Sequence, residues 1–418
     1  MKKKVKELIK HPLIYGSSIV VFGSLAANFF NFLFNVFMSR SLSVADYGVL
    51  ASVISLISFP VLISNALTPM IVRFAGDYFA SDNFALIRGL YIKIVKALFL
   101  FCLVVFIAYF ASLQQLSAFF HITDYTILIM TGFLVIISIV MVLNMSFLQA
   151  KLAFGFQVAI SMATAVSKVV FGAIFVLLGY SVTGAVGAIF IGGIVGYVFS
   201  FYPLRFLFNK TISKPTIETK EFFSYGIPSA LTFLGLTSFI SSDIMLVKHL
   251  FDPVQAGLYA GLSLVGRVIF YISFPIGTVM FPVIVRKINK KENFTNTFKL
   301  ALLLVTIPCV FLTAFYFMFP EFVLLFFLKK QEYLTVSPYV GWVGAFMSCY
   351  SLLMILANFY LSIKKTLVYI PILLGAIAQI VLIFLFHESF IDVLFISLGT
   401  TFVLVCILLL YYPYATKK

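Results

Sequence analysis

Carboxylates are scarce in this sequence. Only 14 Asp and Glu stand against 29 Lys and Arg in 418 residues, and charged residues of both signs make up 10%. A chain of this length cannot cover a water-facing surface with so few charges. The acids are dispersed, so no catalytic carboxylate pair is recognisable outside the loops, and HExxH and GxSxG are missing. No GxxxxGK[ST] loop is present to cradle the phosphates of ATP. The four cysteines (Cys102, Cys309, Cys349, Cys406) lie in apolar stretches without CxxC spacing and read as packing residues. With His limited to four scattered positions, neither a metal nor another cofactor is expected. Roughly ten-residue alternating segments, the mark of a membrane barrel, are missing as well. The chain is therefore read as a non-enzyme, all-α polytopic membrane protein.

What is present is apolar length. Hydrophobic residues make up 62% of the chain and fall in runs able to cross about 30 Å of hydrocarbon. The expected spans are 13–38, 48–70, 92–112, 124–146, 156–178, 183–206, 222–247, 255–281, 298–319, 335–360, 366–386 and 391–412. The connections between them are too short to hold a soluble domain. A formal charge of +15 suggests nucleic acid in a soluble protein, but here the basic residues sit between apolar runs and report topology. If residue 1 lies inside, the segments 1–12, 73–96, 151, 205–220, 286–299, 364–365 and the tail carry 23 of the 29 Lys and Arg. One helix more or fewer would spoil that bias, so both termini are expected in the cytoplasm. The first apolar segment is too long for a signal peptide and reads as a retained helix.

The two halves also match one another. Arg40-Ser-Leu-Ser-Val-Ala-Asp46-Tyr47-Gly48 is followed by Pro69-Met-Ile-Val-Arg73, and Lys248-His-Leu-Phe-Asp-Pro-Val-Gln-Ala-Gly257 by Pro282-Val-Ile-Val-Arg286. Each element recurs after about 210 residues, half of the chain. Six spans return the chain to its starting side, so the repeats are expected to be parallel: 1–210 and 211–418, two six-helix bundles with a V-shaped cavity between them.

Function is expected among the polar groups inside the spans. Ser24, Asn28, Asn31 and Asn35 fall within roughly 60° of one helix face. They either hydrogen-bond a neighbouring helix or line a path for polar cargo. Arg267 lies near the middle of the span 255–281, flanked at four-residue spacing by Ser263 and Tyr271, and Lys168 sits at similar depth in 156–178. Embedding such a charge costs about 3 kcal/mol, so both should face protein or water. A guanidinium there suits phosphate oxygens or pairs with an acid; Lys168 either faces cargo or snorkels. Asp243 is the one carboxylate clearly within a span, and it is either a partner of Lys248 or Arg267 or a carrier of a coupling ion. Gly187, Gly192 and Gly196 suggest close helix packing.

These residues resemble a known family. The opening helix through Asn35 and the Arg40–Gly48 segment look like the Leu-Gly-x-x-x-Tyr-Gly turn of bacterial polysaccharide-repeat-unit flippases, within the multidrug/oligosaccharidyl-lipid/polysaccharide exporter superfamily. Asp243 through Gly257-Leu-Tyr-Ala is similar to the segment opening that family's second half, and Pro282 with Arg286 resembles the close of its eighth helix. The resemblance implies alternating access in the bacterial inner membrane. Its cargo would be an undecaprenyl-diphosphate-linked oligosaccharide, moved from the cytoplasmic to the outer leaflet for surface polysaccharide synthesis. Arg267 and Lys168 would meet the diphosphate; Ser24, Asn28, Asn31, Asn35 and Tyr271 would meet the cargo's polar groups. The partners implied are membrane lipids, this lipid-linked oligosaccharide, and a polymerase or chain-length regulator docking on a monomer; nucleic acid is not among them. The alternative is a proton- or sodium-coupled drug or metabolite antiporter of the same fold. Against it, the first helix lacks the acid common in drug exporters.

Overall fold

The computed structural model describes residues 12–65, 68–208, 219–289 and 291–416. Among these residues the chain is helical and has no strands. The helices are α1 (Pro12–Ser41), α2 (Val44–Asn65), α3 (Thr68–Ala80), α4 (Phe84–Ala111), α5 (Leu113–Phe120), α6 (Tyr125–Ala150), α7 (Phe154–Leu177) and α8 (Ser181–Phe201). After a 3-10 turn at Tyr202–Phe208 come α9 (Thr219–Leu250), α10 (Pro253–Asn289), α11 (Thr295–Met318), α12 (Pro320–Leu328), α13 (Val340–Ser362), α14 (Tyr369–Leu385) and α15 (Phe390–Thr416). Every expected span has its helix. Eleven helices among the described residues are long and apolar enough to cross a membrane, and α2 adds a shorter apolar stretch, Val44–Ser58. The protein is a multi-pass membrane protein. The short helices α3, α5 and α12 were not expected, because 8 to 13 residues cannot span hydrocarbon and leave no long run to detect. The N-terminal Lys cluster and the side chains of Pro69, Arg73, Pro282 and Arg286 lie outside the described residues.

The chain groups into two compact units. Unit 1 comprises the described parts of Met1–Asn35 and Pro60–Gly226; unit 2 comprises Val36–Phe59 and Ile227–Lys418. The end of α1 and most of α2 thus belong to unit 2, while the chain on either side of them belongs to unit 1. Within unit 1, glycines on α8 admit α7 closely: a Cβ on Gly192 would come within 2.9 Å of Thr164 O. Without side chains at such points the helix backbones approach, and dispersion contacts replace the hydrophobic drive that lipid does not supply.

Within unit 2, the Val36–Phe59 segment is seated by three devices. First, the two repeat glycines meet: a Cβ on Gly48 would lie 2.9 Å from Gly257 N, and one on Gly257 would lie 2.7 Å from Val44 Cγ1 and closer still to the Val44 carbonyl. Second, each glycine follows an N-cap by five residues. Ser43 accepts from Asp46 N (3.1 Å), and Asp252 accepts from Val254 N and Gln255 N (2.9 and 3.0 Å), so both helices start at matched positions. Third, two basic residues exchange helix ends. Arg40 donates to Phe327 O (2.8 Å) and Phe326 O (2.6 Å), the last carbonyls of α12, where Lys329 turns left-handed (φ 59°). Lys330 donates to Leu42 O at the end of α1. Cations at helix C-termini satisfy orphan carbonyls and oppose the negative end of the dipole. Lys248, the counterpart of Arg40, is almost fully buried in charge contact with Asp46.

Candidate functional site

Unit 1 holds one of the two embedded cations. Lys168 on α7 donates to Asn31 Oδ1 of α1, and its Nζ stands 4.7 Å from the centre of the Phe34 ring. Asn31 in turn donates to Ala27 O (3.0 Å), and Asn35 donates to Asn31 O (2.8 Å). Two amides of the stripe are therefore turned back on their own helix, which relieves their cost in an apolar setting. Lys168 is half-buried, and among the described residues no carboxylate pairs with it. Asn28, one turn earlier on α1, is half-exposed, and Ser24, two turns earlier, is exposed. A neutral acceptor and an aromatic face hold the ammonium in place and leave its charge uncompensated.

Unit 2 holds the other. Arg267 on α10 donates from Nη2 to Ile240 O of α9 (2.7 Å), while its Nε is closed off without a partner among the described residues. Tyr47 of α2 and Tyr350 of α13 lie within electrostatic reach of the guanidinium, and Tyr271 stands one turn along α10, half-exposed. One helical turn past Ile240, Asp243 is fully buried. Its Oδ2 accepts from Tyr259 OH (2.8 Å) and its Oδ1 from Ile244 N (2.8 Å). Arg267 and Asp243 feel each other's charge without forming an ion pair. Lys248 is no partner of Asp243; its charge contact is Asp46.

Beyond Asp243 the structure reveals groups that reading the sequence had missed. Tyr259 lies within hydrogen-bonding reach of Ser263 and Ser397. Gln379 of α14 donates to Ser397 Oγ (2.7 Å) and Phe239 O (3.2 Å), and its Oε1 is buried without a partner among the described residues. The result is an oxygen-lined buried cluster around one carboxylate. Gln379 did carry a signal, as the one amide in an otherwise apolar span. Among the described residues no group of three or more His, Cys, Asp or Glu could hold a metal ion.

A search of curated protein sequences finds no match. An inward-facing multidrug resistance MATE family transporter of the MOP superfamily superposes with a TM-score of 0.75 at 12% identity, over 94% of this chain and 96% of that one. The lipid II flippase MurJ in an inward closed conformation superposes with a TM-score of 0.72 at 14% identity, over 94% and 87%. A eukaryotic MATE transporter gives 0.66 at 16% identity, over 96% and 95%. At such identities the likeness shows a shared fold. The family model described as "Polysaccharide biosynthesis protein" matches residues 13–288, well over half of the chain. This chain belongs to the polysaccharide biosynthesis protein family.

Proposed function

We propose that the protein is a flippase that carries lipid-linked oligosaccharide units from the cytoplasmic to the outer leaflet of a bacterial inner membrane. The observation that carries this reading is a pair of embedded cations held by neutral acceptors. Lys168 rests on Asn31 Oδ1 and Arg267 on Ile240 O, and no carboxylate forms an ion pair with either among the described residues. Keeping such charges inside apolar helices costs about 3 kcal/mol each, which argues for an anionic ligand. A diphosphate fits the charge sign and the donor geometry of arginine. Asn28 and Asn35 on α1 and Tyr271 on α10 offer hydroxyl- and amide-compatible contacts for sugars, and Asp243 is the group proposed to carry a coupling ion. Membership of a polysaccharide biosynthesis family and a fold shared with a lipid II flippase support the reading.

The test compares Arg267→Ala, Arg267→Lys and Arg267→Glu, with Lys168→Ala separately, since each station stands within one unit. Expected is loss of surface polysaccharide with accumulation of lipid-linked precursor on the inner leaflet for Ala and Glu, and partial export for Lys. Normal export by well-expressed Arg267→Ala and Lys168→Ala proteins would overturn the proposal.

A further inference from the structure

A third cation, this one in unit 1, has no partner among the described residues and plays no part in the proposed transport. Arg88, one turn after Phe84 on α4, is half-buried. Its Nε and Nη1 are shut off from solvent and have no acceptor among the described residues. The ring of Phe84 meets Phe206 edge-on (5.6 Å between centres), and Phe79 of α3 meets the same ring from another side (5.8 Å). Lys151, at the α6–α7 turn, holds its Nζ 4.8 Å from the centre of the Phe206 ring and donates to Pro203 O (3.3 Å). Arg205, next to Phe206, places its guanidinium 5.7 Å from the Tyr202 ring. Three separate connections, α3–α4, α6–α7 and the 3-10 turn, are thus gathered round one phenylalanine; Lys151 and Arg205 come with the last two, and Arg88 lies one turn into the helix that follows the first. Lys151 and Arg205 are exposed, as are Tyr202 (58%) and Phe84 (49%). The carboxylate of this corner among the described side chains, Asp82, is exposed in the α3–α4 turn and forms no ion pair with Arg88.

Exposed Tyr and Phe beside Lys and Arg are the composition of a membrane–water interface, where aromatic rings sit at headgroup depth. A partly desolvated guanidinium without an acceptor among the described residues, on the helix whose Phe84 packs on the ring that Lys151 also faces, attracts a multivalent oxyanion at that depth, and phosphate has the acceptors for it. We propose that this corner of unit 1 binds the phosphate of a resident anionic phospholipid, with Arg88 as the central cation. A lipid, rather than the diphosphate of transported cargo, is favoured because the aromatic rim is exposed and the cations lie at helix ends, not along a span. The proposal is independent of the flippase reading.

The test uses the purified full chain and native mass spectrometry, with phosphatidylglycerol and phosphatidylcholine as probes. The parent should retain phosphatidylglycerol at least about tenfold more tightly than phosphatidylcholine, and salt should weaken the preference. Arg88→Gln should lose most of it and Arg88→Lys should keep part. If Arg88→Gln does not fold, Lys151→Gln combined with Arg205→Gln, both at exposed positions, should lower the preference about threefold or more. Equal retention of the two lipids by the parent would overturn the proposal, as would an undiminished preference in the folded variants. Displacement of phosphatidylglycerol by equimolar farnesyl diphosphate would overturn the choice of source and assign the site to cargo.

Discussion

Replacing Gly257 with alanine tests how the Val36–Phe59 segment is held. A methyl group there would fall within 3 Å of the Val44 carbonyl and of Val44 Cγ1, where ordinary contact begins at about 3.4 Å. The obstruction is backbone, so no rotamer change relieves it, and the segment must move by at least about 1 Å. Such overpacking costs about 1–3 kcal/mol, which shifts a seated–unseated equilibrium about 5- to 150-fold. Alanine also favours helix over glycine by about 1 kcal/mol, but α10 stays helical in both states, so that gain cancels in seating while it blurs a melting curve. The assay must therefore read seating. In a background with the four native cysteines replaced, Leu42→Cys introduces a thiol at a position 2% exposed. Maleimide should label it about 5- to 150-fold faster when Gly257→Ala is added. Gly399→Ala, where an added Cβ meets nothing within 4 Å, should leave the rate unchanged. Rates within twofold of one another for parent and Gly257→Ala would refute the reasoning.

The exchanged helix caps lead to a second expectation: Arg40→Gln or Lys330→Gln should speed labelling of the same Leu42→Cys thiol by about 10- to 150-fold, the worth of a charge-assisted bond of about 1.5–3 kcal/mol. In unit 1, Asn31→Leu removes the acceptor of Lys168 and should destabilise the protein by about 1–3 kcal/mol in detergent unfolding; adding Lys168→Met should recover most of it, and purely additive losses would argue against a coupled pair. Asp124, the N-cap of α6 and just outside its membrane-spanning stretch Tyr125–Ala150, accepts from Thr126 N and Thr183 Oγ1 (2.8 Å each). Burial pushes its pKa up, but these hydrogen bonds outweigh that and hold the carboxyl below the usual range. Its contribution is then present above the unfolded value of about 3.9 and fades as pH falls through the folded one. The unfolding midpoints of parent and Asp124→Asn should differ steadily from pH 7 to 5 and converge below about pH 4; a gap that widens on acidification would contradict this.

The spans were legible because a run long enough to cross hydrocarbon has few alternatives, and the repeat because its glycines and caps recur at fixed spacing. That Gly48 would touch Gly257 was beyond sequence reading: matched positions in two halves need not meet. The same limit applies to Lys168 and Asn31, whose pairing depends on how α7 lies against α1. Arg267 and Asp243 stood out as charges in apolar spans, but Tyr259 and Ser397 are ordinary membrane-helix residues until a buried carboxylate is found beside them. The short helix α12 is apolar but, at nine residues, too short to register as a span, yet its final carbonyls give Arg40 its partners.

The seating of Val36–Phe59 bears on biosynthesis. A ribosome that has finished residue 226 has made all of unit 1, and has also released into the bilayer a stretch whose final companions are still unwritten. Until α9, α10 and α12 emerge, Arg40 has no carbonyls to hold and the bare faces of Val44 and Gly48 have nothing to rest on. The newborn chain must keep that stretch in a provisional lodging, among lipids or insertion factors, and complete its tertiary structure backwards, from late residues to early ones.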